Sequence, residues 1–165
     1  MTKHNKKILR EEQANNVACN CVRAPCPMPG AEAGRNCKTS DIVYKASIQP
    51  DNEEDGERGY IGGTEQQLKD RVAFHRSCMR LEHLEKTSEL SKEAHRIRRS
   101  GGNYTVKWSI LEKSAKFEPG DSYCKLCIAE KYAILFQRDD RTLNDYKMER
   151  CLHKSKAMLG SVEVT

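Results

Sequence analysis

The cysteines are the residues of this chain whose type and spacing most directly suggest chemistry. Cys19, Cys21, Cys26 and Cys37 run as C-x-C-x4-C-x10-C; Cys124-x-x-Cys127 is followed at a distance by Cys151-x-His153, and Cys78 stands apart. Disulfide frameworks belong to secreted chains. No apolar stretch follows the basic start Met1 to Arg10, so a secretory signal is not expected. Thiolate pairs beside basic residues suit zinc instead. A four-thiolate site is therefore expected at Cys19, Cys21, Cys26 and Cys37, with a second candidate at Cys124, Cys127, Cys151 and His153. For the second, plain packing of Cys124 and Cys127, a helical turn apart, is the open alternative. A redox role for Cys124-x-x-Cys127 is a further rival, but no thioredoxin-like βαβ pattern surrounds it.

The elements that would position these groups begin at Asp41. Residues 1–40 are rich in Asn, Cys, Pro and Gly, and Pro25, Pro27, Pro29 and Gly30 forbid a regular element there. Such a segment orders itself around a staple. From Asp41 the pattern changes: Ile42, Tyr44, Ala46 and Ile48 alternate with Val43, Lys45 and Ser47, as a strand requires. Gln49 to Arg58 reads as a loop and Gly59-Tyr-Ile-Gly-Gly63 as a second strand, whose glycines allow close backbone approach. Thr64 as N-cap with Gln67 predicts a capping box. The helix behind it places Leu68, Val72, His75 and Met79 on one stripe, with Arg71 and His75 at i, i+4. A second helix is expected from about Thr87 to Ser100, stopped by Gly101-Gly102. Tyr104 to Leu111 alternates again as a third strand. Asp121 is expected to cap a last helix that runs to about Phe136 and carries Glu130.

Composition bounds the rest. The 165 residues carry a net charge of +5, with 37% hydrophobic and 32% charged residues. That suffices for one modest core, and no apolar run approaches the roughly 20 residues of a membrane span. Lys and Arg outnumber Asp and Glu by seven to three over residues 1–40 and by twenty to fifteen after residue 60, while 41–60 are acidic by six to two. The basic ends favour a polyanionic partner. Arg76, Arg80, Arg96, Arg98 and Arg99 are candidates to track a nucleic-acid backbone, although exposed arginines are ordinary on solvated helices.

Ile42-Val-Tyr44, then Tyr60-Ile-Gly62, Arg71 on the following helix, Glu130 on a later helix and Asn144 beyond it resemble the GIY-YIG nuclease signature. The first motif departs from it, with Ile for Gly and Val for Ile, but keeps its tyrosine. Fifteen residues separate the motifs, longer than usual for the superfamily. Cys19-Asn-Cys21, Cys26-Pro-Met28, Glu89-Leu-Ser-Lys92, Val106 to Leu111, Tyr123 to Lys131, Leu143-Asn144 and Cys151-Leu-His153 are similar to the endonuclease region of Penelope-like retroelement polyproteins. His4 to Leu9 looks like the connector that follows the reverse transcriptase there. Some members carry a cysteine pair between the tyrosine motifs, whereas residues 45–59 here contain none. The match covers nearly the whole chain and lies in the order and number of short motifs.

The resemblance implies a DNA endonuclease that leaves a 3'-hydroxyl to prime reverse transcription of the element's RNA. Its partners would be DNA, that RNA and the reverse transcriptase domain of the same polyprotein, in the nucleus and away from membranes. Phosphodiester hydrolysis needs an activated water, neutralised phosphate charge and help for the departing oxygen. Glu130 would hold one Mg2+ or Mn2+ by hard oxygen ligation. Arg71 offers a permanently charged fork suited to phosphate. Tyr44 would activate the water, with His75 taking its proton. Tyr60 would orient water or phosphate, and Asn144 would hydrogen-bond within the site. Singly, each has a plainer reading: a packed tyrosine, a core histidine, a solvated Glu or Arg.

The expected fold is α+β, a small three-stranded antiparallel sheet flanked by helices over 41–165, preceded by a zinc-stapled segment over 1–40. The rival to a nuclease is a zinc-dependent nucleic-acid-binding module without catalysis, which the altered first motif favours.

Overall fold

In a computed structural model of the chain, the structure describes residues 21, 26–28, 31, 35–52, 56–116, 118, 120–137 and 139–144. Three strands, β1 (Ile42–Pro50), β2 (Arg58–Thr64) and β3 (Tyr104–Lys113), form one antiparallel sheet in the order β2-β1-β3. Among the described residues three α-helices accompany it: α1 (Leu68–Arg80), α2 (Glu89–Arg99) and α3 (Lys125–Phe136). The α+β architecture is thus the one expected from the alternation of the strands and the stripe of α1. Among the described residues no helix is long and apolar enough to cross a membrane.

β1 is central, paired on both edges, and helices cover both faces of the sheet at this strand. Ile42, Tyr44, Ala46 and Ile48 point to one side and meet Leu68, Val72 and Met79 of α1, Leu90, Ala94 and Ile97 of α2, and Trp108 and Ile110 of β3. Val43 and Ile61 point to the other side, against Leu126, Ala133 and Ile134 of α3. Each fully buried Ile or Leu contributes about 1.5–3 kcal/mol of burial, so the larger first cluster dominates stability. Opposite the Val43–Tyr44 step the register with β3 slips by one, leaving Leu111 as the extra residue. The bulge lets Ile110 face the first cluster while Leu111 packs on the second.

Several element ends differ from the sequence reading, each for a local reason. β1 runs on to Pro50, and β2 starts at Arg58, so the connecting loop is shorter than Gln49 to Arg58. Thr64 does not cap α1. It is the last residue of β2, paired with Ile42, and its Oγ1 accepts from the Gln66 N–H at 3.1 Å. The helix begins at Leu68, and its N-cap Gln67 makes no side-chain bond. The carbonyls of Thr39 and Cys37 accept from Leu68 N–H (3.0 Å) and Lys69 N–H (2.8 Å) instead. Residues 82–87 form a 3-10 turn, and α2 starts only at Glu89, where Ser88 accepts from Ser91 N–H at 3.2 Å. Asp121 likewise does not cap the last helix. Its carboxylate accepts from Glu118 N–H at 3.1 Å, and α3 starts at Lys125.

The outer edge of β2 is closed by residues 139–144. Gly59 N–H donates to Arg141 O at 3.0 Å, Leu143 N–H donates to Gly59 O at 2.7 Å, and Gly59 bridges Thr142 in parallel. An edge strand is thereby covered, which removes a template for unwanted pairing.

Candidate active site

Tyr44 sits at the middle of the central strand, directly opposite Gly62 of β2. Gly62 has no side chain, and the Tyr44 ring occupies the place one would take. A Cβ built there would lie 2.7 Å from Tyr44 Oη, 2.9 Å from Cζ and 3.1 Å from Tyr60 Cε1. The phenol is wholly enclosed, and two side chains of α1 meet its hydroxyl. Arg71 Nε–H donates to Tyr44 Oη at 3.1 Å, and Tyr44 Oη lies 2.7 Å from His75 Nε2. The i, i+4 spacing of Arg71 and His75 sets both on one face of α1, so a single phenol can bridge them.

Tyr44 Oη accepts from Arg71 and is also bonded to His75 Nε2, with the donor in that second bond set by the tautomer of the imidazole. Nδ1 has no hydrogen-bond partner although the ring is fully buried, packed between Tyr60, Phe74 and Trp108 at centroid distances of 5.6, 6.0 and 5.6 Å. Burial, reinforced by the positive charge of Arg71, lowers the His75 pKa from 6.5 to about 3. Burial likewise pushes the Tyr44 phenol above its ordinary value, with neighbouring Tyr60 adding to the shift and Arg71 opposing it. At neutral pH both members of the pair are uncharged.

This has a measurable consequence for stability. The unfolded chain takes up a proton at His75 near pH 6.5, whereas the folded chain does so only near 3. The stability His75 contributes is therefore complete above pH 6.5 and is lost as pH falls towards 3. By pH 5 the loss should reach about 2 kcal/mol. Denaturant unfolding at pH 7.5 and pH 5 should show that drop in the wild type and a smaller one in His75→Gln. Equal drops would mean that His75 is protonated in the folded protein.

Glu130 reaches the same place from the other side of the sheet. It lies in the second turn of α3, the helix packed on Val43 and Ile61. Its Oε1 accepts from Gly63 N–H at 2.9 Å, and Oε2 lies 3.1 Å from where a Gly63 Cβ would stand. The negative charge of Glu130 is felt by both phenols, whose pKa values it raises as a smaller effect beside burial. Adjacent glycines, facing opposite ways, thus leave room for Tyr44 on one face and Glu130 on the other. Tyr60, Arg71 and Glu130 are half-buried, so they offer the groups a ligand can reach.

In comparison with known proteins, no family model, curated protein or solved structure matches this chain.

The remaining expected residues are placed as follows. Asn144 is bound to the backbone of Ile61 in both directions, its Oδ1 accepting from Ile61 N–H and its Nδ2 donating to Ile61 O, each at 2.7 Å. It therefore anchors β2 between Tyr60 and Gly62. The sulfur atoms of Cys21, Cys26 and Cys37 lie within 4.8 Å of one another, with Cys21 and Cys37 at 3.4 Å. They could hold a metal ion, and they are the only such group of three or more His, Cys, Asp or Glu among the described residues. Cys19, Cys151 and His153 lie outside the described residues. Cys124 is buried and Cys127 half-buried in the α3-side cluster.

Three of the helix arginines are engaged within the protein. Arg96 bonds Glu93 at 2.9 and 2.8 Å, Arg99 bonds Glu85 at 2.8 and 2.6 Å, and Arg98 donates to Tyr104 Oη at 2.8 Å. Sequence reasoning passed over Phe74, whose ring lies under the Arg71 guanidinium at 5.1 Å. The only signal was its i+3 spacing from Arg71.

Proposed function

We propose that this chain is a DNA endonuclease of the GIY-YIG type that nicks one strand and leaves a 3'-hydroxyl, from which a retroelement's RNA is reverse transcribed. The observation that carries the reading is the grouping of Tyr60, Arg71 and His75 around Tyr44, with Tyr44 and Glu130 on the two faces of the Gly62–Gly63 pair. Tyr44, Tyr60, Arg71 and Glu130 are also the residues that follow the motif order in the sequence. DNA is the proposed substrate in the nucleus, with the element RNA and the reverse transcriptase domain as partners.

Each residue has a role that its geometry supports. Arg71, held by Tyr44 through Nε and also hydrogen-bonded to Tyr60, offers the N–H groups left over to a phosphate oxygen. Tyr60, half-exposed, orients the attacking water or the phosphate. Tyr44 is enclosed and out of reach of the attacking water, so it acts by holding Arg71 through its oxygen and by its bond to His75 Nε2. Glu130 brings a carboxylate to the Gly63 side of β2, one oxygen on the Gly63 N–H and the other in the room that Gly63 leaves. A single hard ligand of this kind fits Mg2+ or Mn2+, which keep most of their waters and bind phosphate oxygens. When bound, such an ion supplies Lewis acidity at the phosphate and stabilises the departing oxygen. The thiolate cluster fits structural Zn2+.

A catalytically silent nucleic-acid-binding module is the second reading, favoured by the complete enclosure of the Tyr44 hydroxyl. A supercoiled plasmid separates the two. The wild type should convert it to open circles in Mg2+ or Mn2+ and not in EDTA, with 3' ends that a polymerase extends. Binding without open circles favours the silent module. Arg71→Lys keeps the charge but loses the fork, and its nicking rate should fall roughly tenfold to a thousandfold. An unimpaired lysine variant would reduce Arg71 to a structural cation.

A further inference from the structure

The thiolate cluster and the candidate active site are joined through the backbone of one residue, Cys37. Its side chain is fully buried within the cluster, and its carbonyl accepts the Lys69 N–H of α1 at 2.8 Å. A helix N-terminus leaves its first N–H groups without partners, and side chains usually supply them. In α1 the Gln67 side chain makes no cap bond, and the carbonyls of Thr39 and Cys37 take the first two amides. Arg71 follows Lys69 by two residues, and His75 by just under two turns.

We infer that a zinc ion on Cys21, Cys26 and Cys37 seats the first turn of α1 and so sets where Arg71 meets Tyr44. Sulfurs around a tetrahedral zinc stand about 3.8 Å apart. The cluster is compact on that scale, with Cys21 and Cys37 at 3.4 Å and all three sulfurs within 4.8 Å of one another. Without the cation the metal–sulfur bonds that fix Cys37 are lost, and with them the anchor of the carbonyl that holds Lys69. A second connection runs through Cys26. Met28, two residues on, packs against the main core. Cys26 to Met28 share a groove of about 490 Å³ with Arg76 of α1 and Trp108. The Trp108 ring in turn lies against His75. The cluster thus bears on the active-site helix at its first turn and along its flank. Disturbing it displaces the phosphate-binding group without touching any group that meets the substrate.

In its catalytic consequence this rests on the endonuclease reading; in its structural consequence it does not, and the experiment reads the two separately. The full chain, purified under reducing conditions, is stripped with a zinc-selective chelator and reloaded with Zn2+. Hydrogen exchange is followed at individual amides. Stripping should speed exchange at Leu68 and Lys69 at least tenfold while leaving the interior amides of α2 unchanged. Plasmid nicking in constant Mg2+ should fall about tenfold to a hundredfold, as expected when a binding group is misplaced by about 1 Å. Zn2+ should restore both, and extra Mg2+ neither. Cys26→Ser, which leaves Cys124 and Cys127 intact, should reproduce the stripped state, and Cys26→His, which keeps a zinc ligand, should resemble the wild type. Faster exchange at Leu68 and Lys69 in a chain that never nicks would uphold this inference and end the endonuclease reading alone. Unchanged exchange there after zinc has left, or no zinc bound under reducing conditions, would overturn the inference.

Discussion

Glu130→Gln should lower plasmid nicking at least about a thousandfold, equivalent to about 4 kcal/mol of transition-state stabilisation, while DNA affinity stays within about twofold. The substitution preserves shape. Glutamine keeps an Oε1 that can accept from Gly63 N–H, now 2.9 Å from the carboxylate, so α3 and β2 should remain docked. What disappears is the negative charge, and its loss has two opposed effects. It deprives the site of its hard anionic ligand, which the proposed chemistry cannot do without. It also relieves both phenols of a charge that raises their pKa, which alone would ease proton transfer. The two effects differ in sign, so the measurement decides between them. A deep loss puts the carboxylate at the metal. A variant as fast as the wild type, or faster, would refute the metal assignment and leave Glu130 as a prop for Gly63. Single-turnover nicking in Mg2+, with fluorescence anisotropy for DNA affinity, makes the test.

Gly62→Ala should cost about 1–3 kcal/mol in stability and at least a hundredfold in nicking. The added methyl would stand 2.7 Å from Tyr44 Oη and 2.9 Å from Cζ. The Tyr44 ring cannot yield easily, for it has no exposed surface and lies between His75 and Trp108 at centroid distances of 5.9 and 6.0 Å. Either β2 moves away from β1, or Tyr44 swings and breaks its bonds to Arg71 and His75. At Gly63 the corresponding neighbour is the far end of a glutamate, so Gly63→Ala should be milder for stability. Combining Gly62→Ala with Tyr44→Phe removes the closest clash. It should regain part of the stability and none of the nicking, because the hydroxyl that holds Arg71 is gone. Calorimetry and the plasmid assay on the four members of this cycle check the coupling. A Gly62→Ala protein as stable and active as the wild type would mean that Tyr44 has room the structure does not show.

The sequence by itself determined the parts that depend on local pattern. Strict alternation from Ile42 to Ile48 and around Val106, Trp108 and Ile110 made strands with one face each for the main core. The stripe of Leu68, Val72, His75 and Met79 made a helix that must lie on them. Those two periods already put Tyr44 and His75 on facing surfaces, so their meeting was readable in advance. Helix starts were not, because the amides of α1 are held by carbonyls of residues 37 and 39, and a backbone carbonyl has no signature in the residue type. Thr64 looked like a cap for want of that knowledge, and Asp121 for a similar reason.

Only the tertiary structure decided that Glu130 arrives from the opposite face of the sheet, through a gap that two glycines leave. It alone turned Asn144 from a hydrogen-bonding group of the site into a clasp on Ile61, since that depends on residues 139–144 returning along β2. It also brought Cys37 to the end of α1, across 32 residues of chain from Lys69. Spacing along a chain reports what neighbouring turns can share. Contacts of this kind depend on which strand is central and which edge is left open, and those are properties of the packed whole.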